Sequence, residues 1–146
     1  MSRTNARKNA FYLIFQHDFV GMEGMEEAKN TIFHLNDAET NDKEFDSITG
    51  ELDDNDKAFI DRTVDGTLSN LDKIDEIINT YAKGWSVNRM SKVDLAILRM
   101  AVYELKFSDE TPAGVAINEA VEVAKKFSSD NSPSFVNGIL GKIAES

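Results

Sequence analysis

Apolar residues recur along this chain at intervals of three and four, the period of an amphipathic helix, and strand-like alternation is scarce. Residues 4–19 open the series. Ala10, Phe11, Ile14 and Phe15 make one side, and Asn5, Lys8, Asn9, Tyr12 and Gln16 make a polar face opposite. A short second helix is predicted over 25–36. Residues 37–53 are acidic, contain Thr49-Gly50 and predict a solvated loop. Residues 54–69 and 71–82 read as two helices or one kinked helix. Phe59, Val64 and Leu68 mark the first, and Leu71, Ile74, Ile78 and Tyr81 the second. Gly84-Trp85-Ser86 then breaks the pattern.

Residues 92–107 carry the strongest helical signal. Ser91 suits the N-cap, and Asp94 sits three residues on, where a capping-box acid belongs. Apolar residues from Val93 to Leu105 cover most of the circumference and leave a narrow polar arc of Lys92, Arg99, Tyr103 and Lys106. A helix apolar nearly all round is central in a bundle. Glu104 falls among the apolar positions, so it calls for a cationic partner from another element or for another protein. Residues 113–127 form a cleaner amphipathic helix, with Pro112 at its first turn. Residues 133–144 form the last. Ser132 is its expected N-cap and Pro133 its first helical residue, and Val136, Ile139, Leu140 and Ile143 make its core stripe. Phe135 lies about 100° from Val136 around the axis, at the rim of that stripe.

A length of 146 residues suits one domain, 1–146, and 41% apolar with 29% charged residues reads as globular. There is no cysteine, which removes disulfides, zinc thiolates and thiol nucleophiles together. The N-terminus has no apolar signal-peptide core, and no apolar run approaches the roughly 18 residues of a membrane span. The expected location is the cytoplasm, without a membrane partner. The net charge of −10 is unevenly spread. Residues 1–17 hold Arg3, Arg7 and Lys8 and no acid, whereas residues 18–56 hold 13 acids and two lysines. Overall acidity argues against indiscriminate polyanion binding but leaves room for a small basic patch.

Catalytic patterns fail. His17 and His34 have no zincin-like spacing, and there is no nucleophile elbow, P-loop or dinucleotide-binding glycine pattern. Asp53-Asp54-Asn55-Asp56 starts like a calcium loop but has Lys57 and Ala58 at its fifth and sixth positions, so these acids are expected to cap the next helix. No enzyme activity, cofactor or metal is expected. Gly138-Ile139-Leu140-Gly141 resembles the KH-domain loop only superficially. Inside a predicted helix it reads as close helix packing, and Trp85 reads as a packing anchor. Three features point to RNA. The opening helix is basic. Phe135 can stack on an unpaired base. Ser132 and the N–H groups of Phe135 and its neighbours can receive a phosphate at a helix start.

The C-terminal half narrows this further. Val93-Asp94-Leu95-Ala96-Ile97-Leu98-Arg99-Met100-Ala101-Val102-Tyr103-Glu104-Leu105 resembles a block of the NusB family. So do Val115-Ala116-Ile117-Asn118-Glu119-Ala120-Val121-Glu122 with the following Ala124-Lys125-Lys126-Phe127, and Ser132-Pro133-Ser134-Phe135-Val136-Asn137-Gly138-Ile139-Leu140. Ala6-Arg7-Lys8-Asn9-Ala10-Phe11 and Gly84-Trp85-Ser86 are similar to earlier parts of the family pattern, so the resemblance runs through nearly the whole chain apart from its acidic middle.

The resemblance implies an all-α protein, two packed helical bundles of about seven helices in one domain. It implies a transcription antitermination factor that binds boxA RNA jointly with NusE, a small-subunit ribosomal protein. The complex would join the elongating RNA polymerase with other Nus factors, notably in ribosomal RNA operons. The implied RNA-binding residues are Arg3, Arg7, Lys8, Tyr12 and Gln16 on the opening helix, and Asn131, Ser132 and Phe135 near the last. Asn131 replaces a residue often acidic in the family, a loss of negative charge that favours RNA. The implied protein-partner contacts are Asp94, Tyr103 and Glu104. Two alternatives stand beside this reading: the RNA-binding domain of an RsmB-type RNA methyltransferase, and a helical protein-interaction module without RNA affinity. The oligomeric state, monomer or homodimer, stays open.

Overall fold

A computed structural model describes residues 3–37 and 52–146, with the backbone alone for residues 32–37. Among the described residues every regular element is a helix: α1 (Thr4–Asp37), α2 (Asp54–Ser69), α3 (Leu71–Tyr81), α4 (Lys92–Lys106), α5 (Ala113–Phe127) and α6 (Ser132–Glu145). The acidic loop expected over 37–53 lies outside the described residues except at its ends, as does the His34 side chain. The chain divides into two compact units, Met1–Val64 and Asp65–Ser146.

In the first unit, the helices expected over 4–19 and 25–36 meet at a kink with no loop between them; counted with that kink as the single element α1, the described elements number six where about seven were expected. The reason is Gly21, whose φ of 67° and ψ of −177° bend α1 without a connecting loop. An L-residue is strained in that conformation and glycine is not. The start of α2 is fixed by its acids, as expected. The Asp53 carboxylate accepts from the Asp56 N–H at 2.8 Å, and the Asp56 carboxylate accepts from the Asp53 N–H at 3.2 Å, a reciprocal cap. Lys29 of α1 reaches Asp61 of α2 at 3.2 Å, with its stem buried. Asn9 departs from the polar face expected of it. It is buried, and its side-chain amide donates to the Asn5 carbonyl at 2.7 Å.

In the second unit, α4 is the central helix. It packs on α3, α5 and α6, and nine of its residues are buried around the whole circumference. The Ser91 hydroxyl caps it as expected, accepting from the Asp94 N–H at 3.1 Å. Each buried leucine or isoleucine here contributes about 1.5–3 kcal/mol relative to leaving it in water. Arg99 does not lie on an exposed polar arc. It is buried, and its guanidinium forks onto Asp75 of α3 at 2.9 and 2.8 Å. The Gly138/Gly141 pair also differs from expectation. A Cβ at either position would meet nothing within 4 Å, so close helix packing is not what these glycines serve. Close approach occurs at Gly66 instead, where a Cβ would clash with the Cε1–Cζ edge of the Tyr103 ring.

Candidate nucleic-acid interface

The segment that opens α6 builds a cleft. Residues 128–132 carry three serines. The Asp94 carboxylate accepts from the Ser128 hydroxyl at 2.6 Å and from the Ser132 hydroxyl at 3.1 Å. Ser128 and Ser129 both share hydrogen bonds with Ser132, at 2.8 and 2.9 Å. This network ties the start of α6 to the first turn of α4 and forms the floor of a cleft of about 270 Å³. Trp85, Met90, Ser91, Ser129, Asn131 and Phe135 make its walls. Trp85 and Phe135 meet edge to face, with ring centroids 6.1 Å apart at 76°, a favoured aromatic geometry. The Arg89 guanidinium lies 5.9 Å from the Trp85 ring centre.

Two expectations about this region change. Trp85 is no buried anchor, because 53% of it is exposed and it forms a cleft wall. Ser132 is the first helical residue rather than the cap; it is buried and its hydroxyl turns to Asp94. Asn131 takes the cap position without a side-chain bond. The helix start also has few amides to offer. Ser132 N–H donates to the Ser129 carbonyl, Phe135 N–H donates to the Asn131 carbonyl, and Pro133 has none. The Asp94 carboxylate in the lining, with two of the first amides already bonded and Pro133 lacking one, disfavours a phosphate here. Two aromatic faces and residual acceptor positions on Asp94 suit a flat ring bearing N–H donors.

The second candidate surface is the start of α1 in the first unit. Arg3 lies over the Phe59 ring at 5.0 Å and contacts the Asp56 carboxylate at 3.3 Å. The acid that the sequence near residue 3 lacks is thus supplied by α2. Arg7 stacks on the same ring at 5.2 Å and is only 3% exposed. A phosphate contact by Arg7 therefore requires its guanidinium to leave Phe59. Lys8 is half-buried and bonds Asn5 at 3.3 Å, and Gln16 donates to the Tyr12 hydroxyl at 2.7 Å one turn further on.

The model of the NusB family matches residues 4–145. The chain belongs to the NusB family. Among curated relatives, the transcription antitermination protein NusB of Clostridium botulinum (strain Kyoto / Type A2) is 42% identical over 143 residues, covering 98% of this chain and 99% of the relative. The NusB of Agathobacter rectalis is 40% identical over 144 residues, covering 99% of this chain and all of the relative. A solved structure of T. maritima NusB superposes with a TM-score of 0.80 at 36% identity, over all of this chain and 92% of the other. A crystal structure of antitermination factors NusB and NusE in complex with dsRNA matches with a TM-score of 0.76 at 25% identity, over 98% and 96% of the two chains. The all-helical class expected from the sequence holds among the described residues, and their fold matches solved NusB structures.

Of the three residues expected to meet a protein partner, Asp94 alone faces the cleft. Tyr103 is half-buried over Gly66, and Glu104 is buried, accepting from the Thr111 hydroxyl at 3.2 Å among its contacts. The position of Glu104 among apolar residues is met by a polar group from the α4–α5 connection. Sequence reasoning missed Trp85 as a wall of the candidate cleft and Arg89 as its neighbour. The available signal was Gly84, whose φ of +83° makes a turn that lifts the following Trp85 off the helix.

Proposed function

We propose that this protein is a transcription antitermination factor that binds boxA RNA together with the ribosomal protein NusE. It acts in the cytoplasm, within the elongating RNA polymerase complex and its other Nus factors, notably on ribosomal RNA operons. No reaction is catalysed. The observation that carries this reading, beside family membership, is the aromatic cleft at the start of α6. Phe135 and Trp85 offer stacking faces, and Asp94 offers an acceptor to the N–H edge of a base. The bases of an A-form duplex are stacked and closed to such faces, so the cleft suits an unpaired nucleotide. The basic start of α1, with Arg3, Lys8, Tyr12 and Gln16 accessible and Arg7 behind them, supplies further contacts.

Joint binding follows from charge. A protein at −10 with a few accessible cations holds a polyanion weakly on its own. A basic ribosomal protein bound to its acidic surface adds phosphate contacts and lowers the repulsion. Fluorescence anisotropy of a boxA RNA tests this, with the protein alone and with NusE across a salt series. The pair is expected to bind far more tightly than either protein alone. Phe135→Ala is expected to weaken the joint complex by about 1–3 kcal/mol, the worth of one stacked base. Absence of binding by the pair at low salt would leave a helical interaction module in place of this reading.

A further inference from the structure

Phe135 and Trp85 also border a second cleft on the same unit, of about 240 Å³. Its charge is opposite in kind to that of the first. Lys83 and Lys142 line it, and no carboxylate does. Both lysines are exposed, and neither has an acidic partner among the described residues. Gly138 forms part of its wall. Glycine is a costly choice in the interior of a helix. Here no neighbouring group explains it, since a Cβ would meet nothing within 4 Å. What the glycine leaves is bare helix backbone beside two cations, which is where glycine permits close approach of a ligand.

We propose that this second cleft carries the sugar-phosphate backbone of a single RNA strand, with Lys83 and Lys142 on its phosphates and Trp85 as a stacking face alongside Phe135. The proposal rests on the RNA reading above and extends it to four residues outside the family-derived set. The two clefts divide the labour by charge. The Asp94 floor repels phosphate and accepts from base N–H groups. The lysine cleft attracts phosphate and has no acid to accept from a base. Trp85 and Phe135 stand between the two, so one nucleotide can place its base on the acidic side and its phosphate on the basic side.

The test uses a labelled single-stranded boxA RNA with the full-length protein and its ribosomal partner. Trp85 is the only tryptophan of this chain, so its fluorescence reports on its own surroundings. The expected result is a change of that emission on RNA binding, and a loss of affinity between about fivefold and a hundredfold in Trp85→Ala. In the double variant Lys83→Gln/Lys142→Gln, the slope of log affinity against log salt is expected to fall by about 1.4, at about 0.7 per phosphate contact with a single strand. Gly138→Gln is expected to melt no lower than the parent but to bind RNA more weakly. Gly141→Gln, one turn away and outside the cleft, keeps full binding. An unchanged affinity and salt slope in the double lysine variant, with Phe135→Ala still impaired, overturns the backbone cleft and leaves the RNA function standing. Lysine variants that impair only the binding of the ribosomal protein overturn it in favour of a protein contact. Absence of RNA binding by the parent pair overturns both readings.

Discussion

Arg99 and Asp75 show how much one residue pair decides inside the second unit. The guanidinium is buried and forks onto the carboxylate, so two charges leave water only because each meets the other in bidentate geometry. Asp75→Ala takes away the paired oxygens while the guanidinium stays at the α3–α4 contact. Breaking a buried pair from one side costs about 3–5 kcal/mol, and the partial exposure of Asp75 places this case near the lower figure. Urea unfolding should show a lower midpoint with an unchanged m value. A loss below about 1 kcal/mol would mean that other contacts of Arg99 carry its burial. This pair was not legible in the sequence. Helical periodicity gives the angle at which Arg99 leaves α4, but not whether a neighbouring helix with a carboxylate stands there. The same limit applies to Arg7, whose angle is readable and whose burial over Phe59 is not.

At the scale of elements, Gly66, within the second unit, stands against Tyr103 of α4. Two effects of opposite sign meet at Gly66. Alanine favours a helix interior over glycine by about 1 kcal/mol. Its methyl would clash with the edge of the Tyr103 ring, and overpacking of that kind costs about 1–3 kcal/mol. The ring contact is too close for small adjustment, so Gly66→Ala is expected to destabilise the native protein. In a Tyr103→Ala background the obstruction is gone, and the same substitution is expected to stabilise by up to about 1 kcal/mol. A double-mutant cycle measured by thermal or urea unfolding checks the reversal of sign. Simple additivity would show that the ring swings clear at no cost.

The elements themselves were largely legible. Ser91 capping α4 and Asp53 and Asp56 capping α2 are local signals that local hydrogen bonds answer, and Pro112 stands at the N-cap of α5 without one from its side chain. The all-round apolar surface of α4 correctly marked it as central. The two opening helices were legible as separate patterns, and the break between them is made by a single positive φ at Gly21 rather than by a loop. Trp85 misled because a lone tryptophan near a helix end is ordinarily buried. Only the turn at Gly84, with Phe135 arriving from α6, makes it a wall of the cleft. Phe135 was placed correctly at a rim, because its angle from the Val136 stripe is a property of one helix.

On the scale of the whole molecule, charge separates affinity from encounter. The chain carries −10, and 13 of its acids fall within residues 18–56. A field of that sign slows the approach of RNA and speeds the approach of a basic protein. If the proposed function holds, the order of assembly is expected to follow from this: the ribosomal partner docks first, and RNA then meets a surface whose net charge has been reduced. Stopped-flow mixing with NusE should give an association rate constant that falls steeply as ionic strength rises, as screening shortens the reach of the field to about 10 Å at 0.1 M salt. The dissociation rate should change little, because it is set by contacts already desolvated. RNA binding to the preformed pair should be faster than to this protein alone at the same salt. An association rate indifferent to salt would mean that the acidic excess does not recruit the partner. The joint binding would then have to come from shape and direct contacts alone.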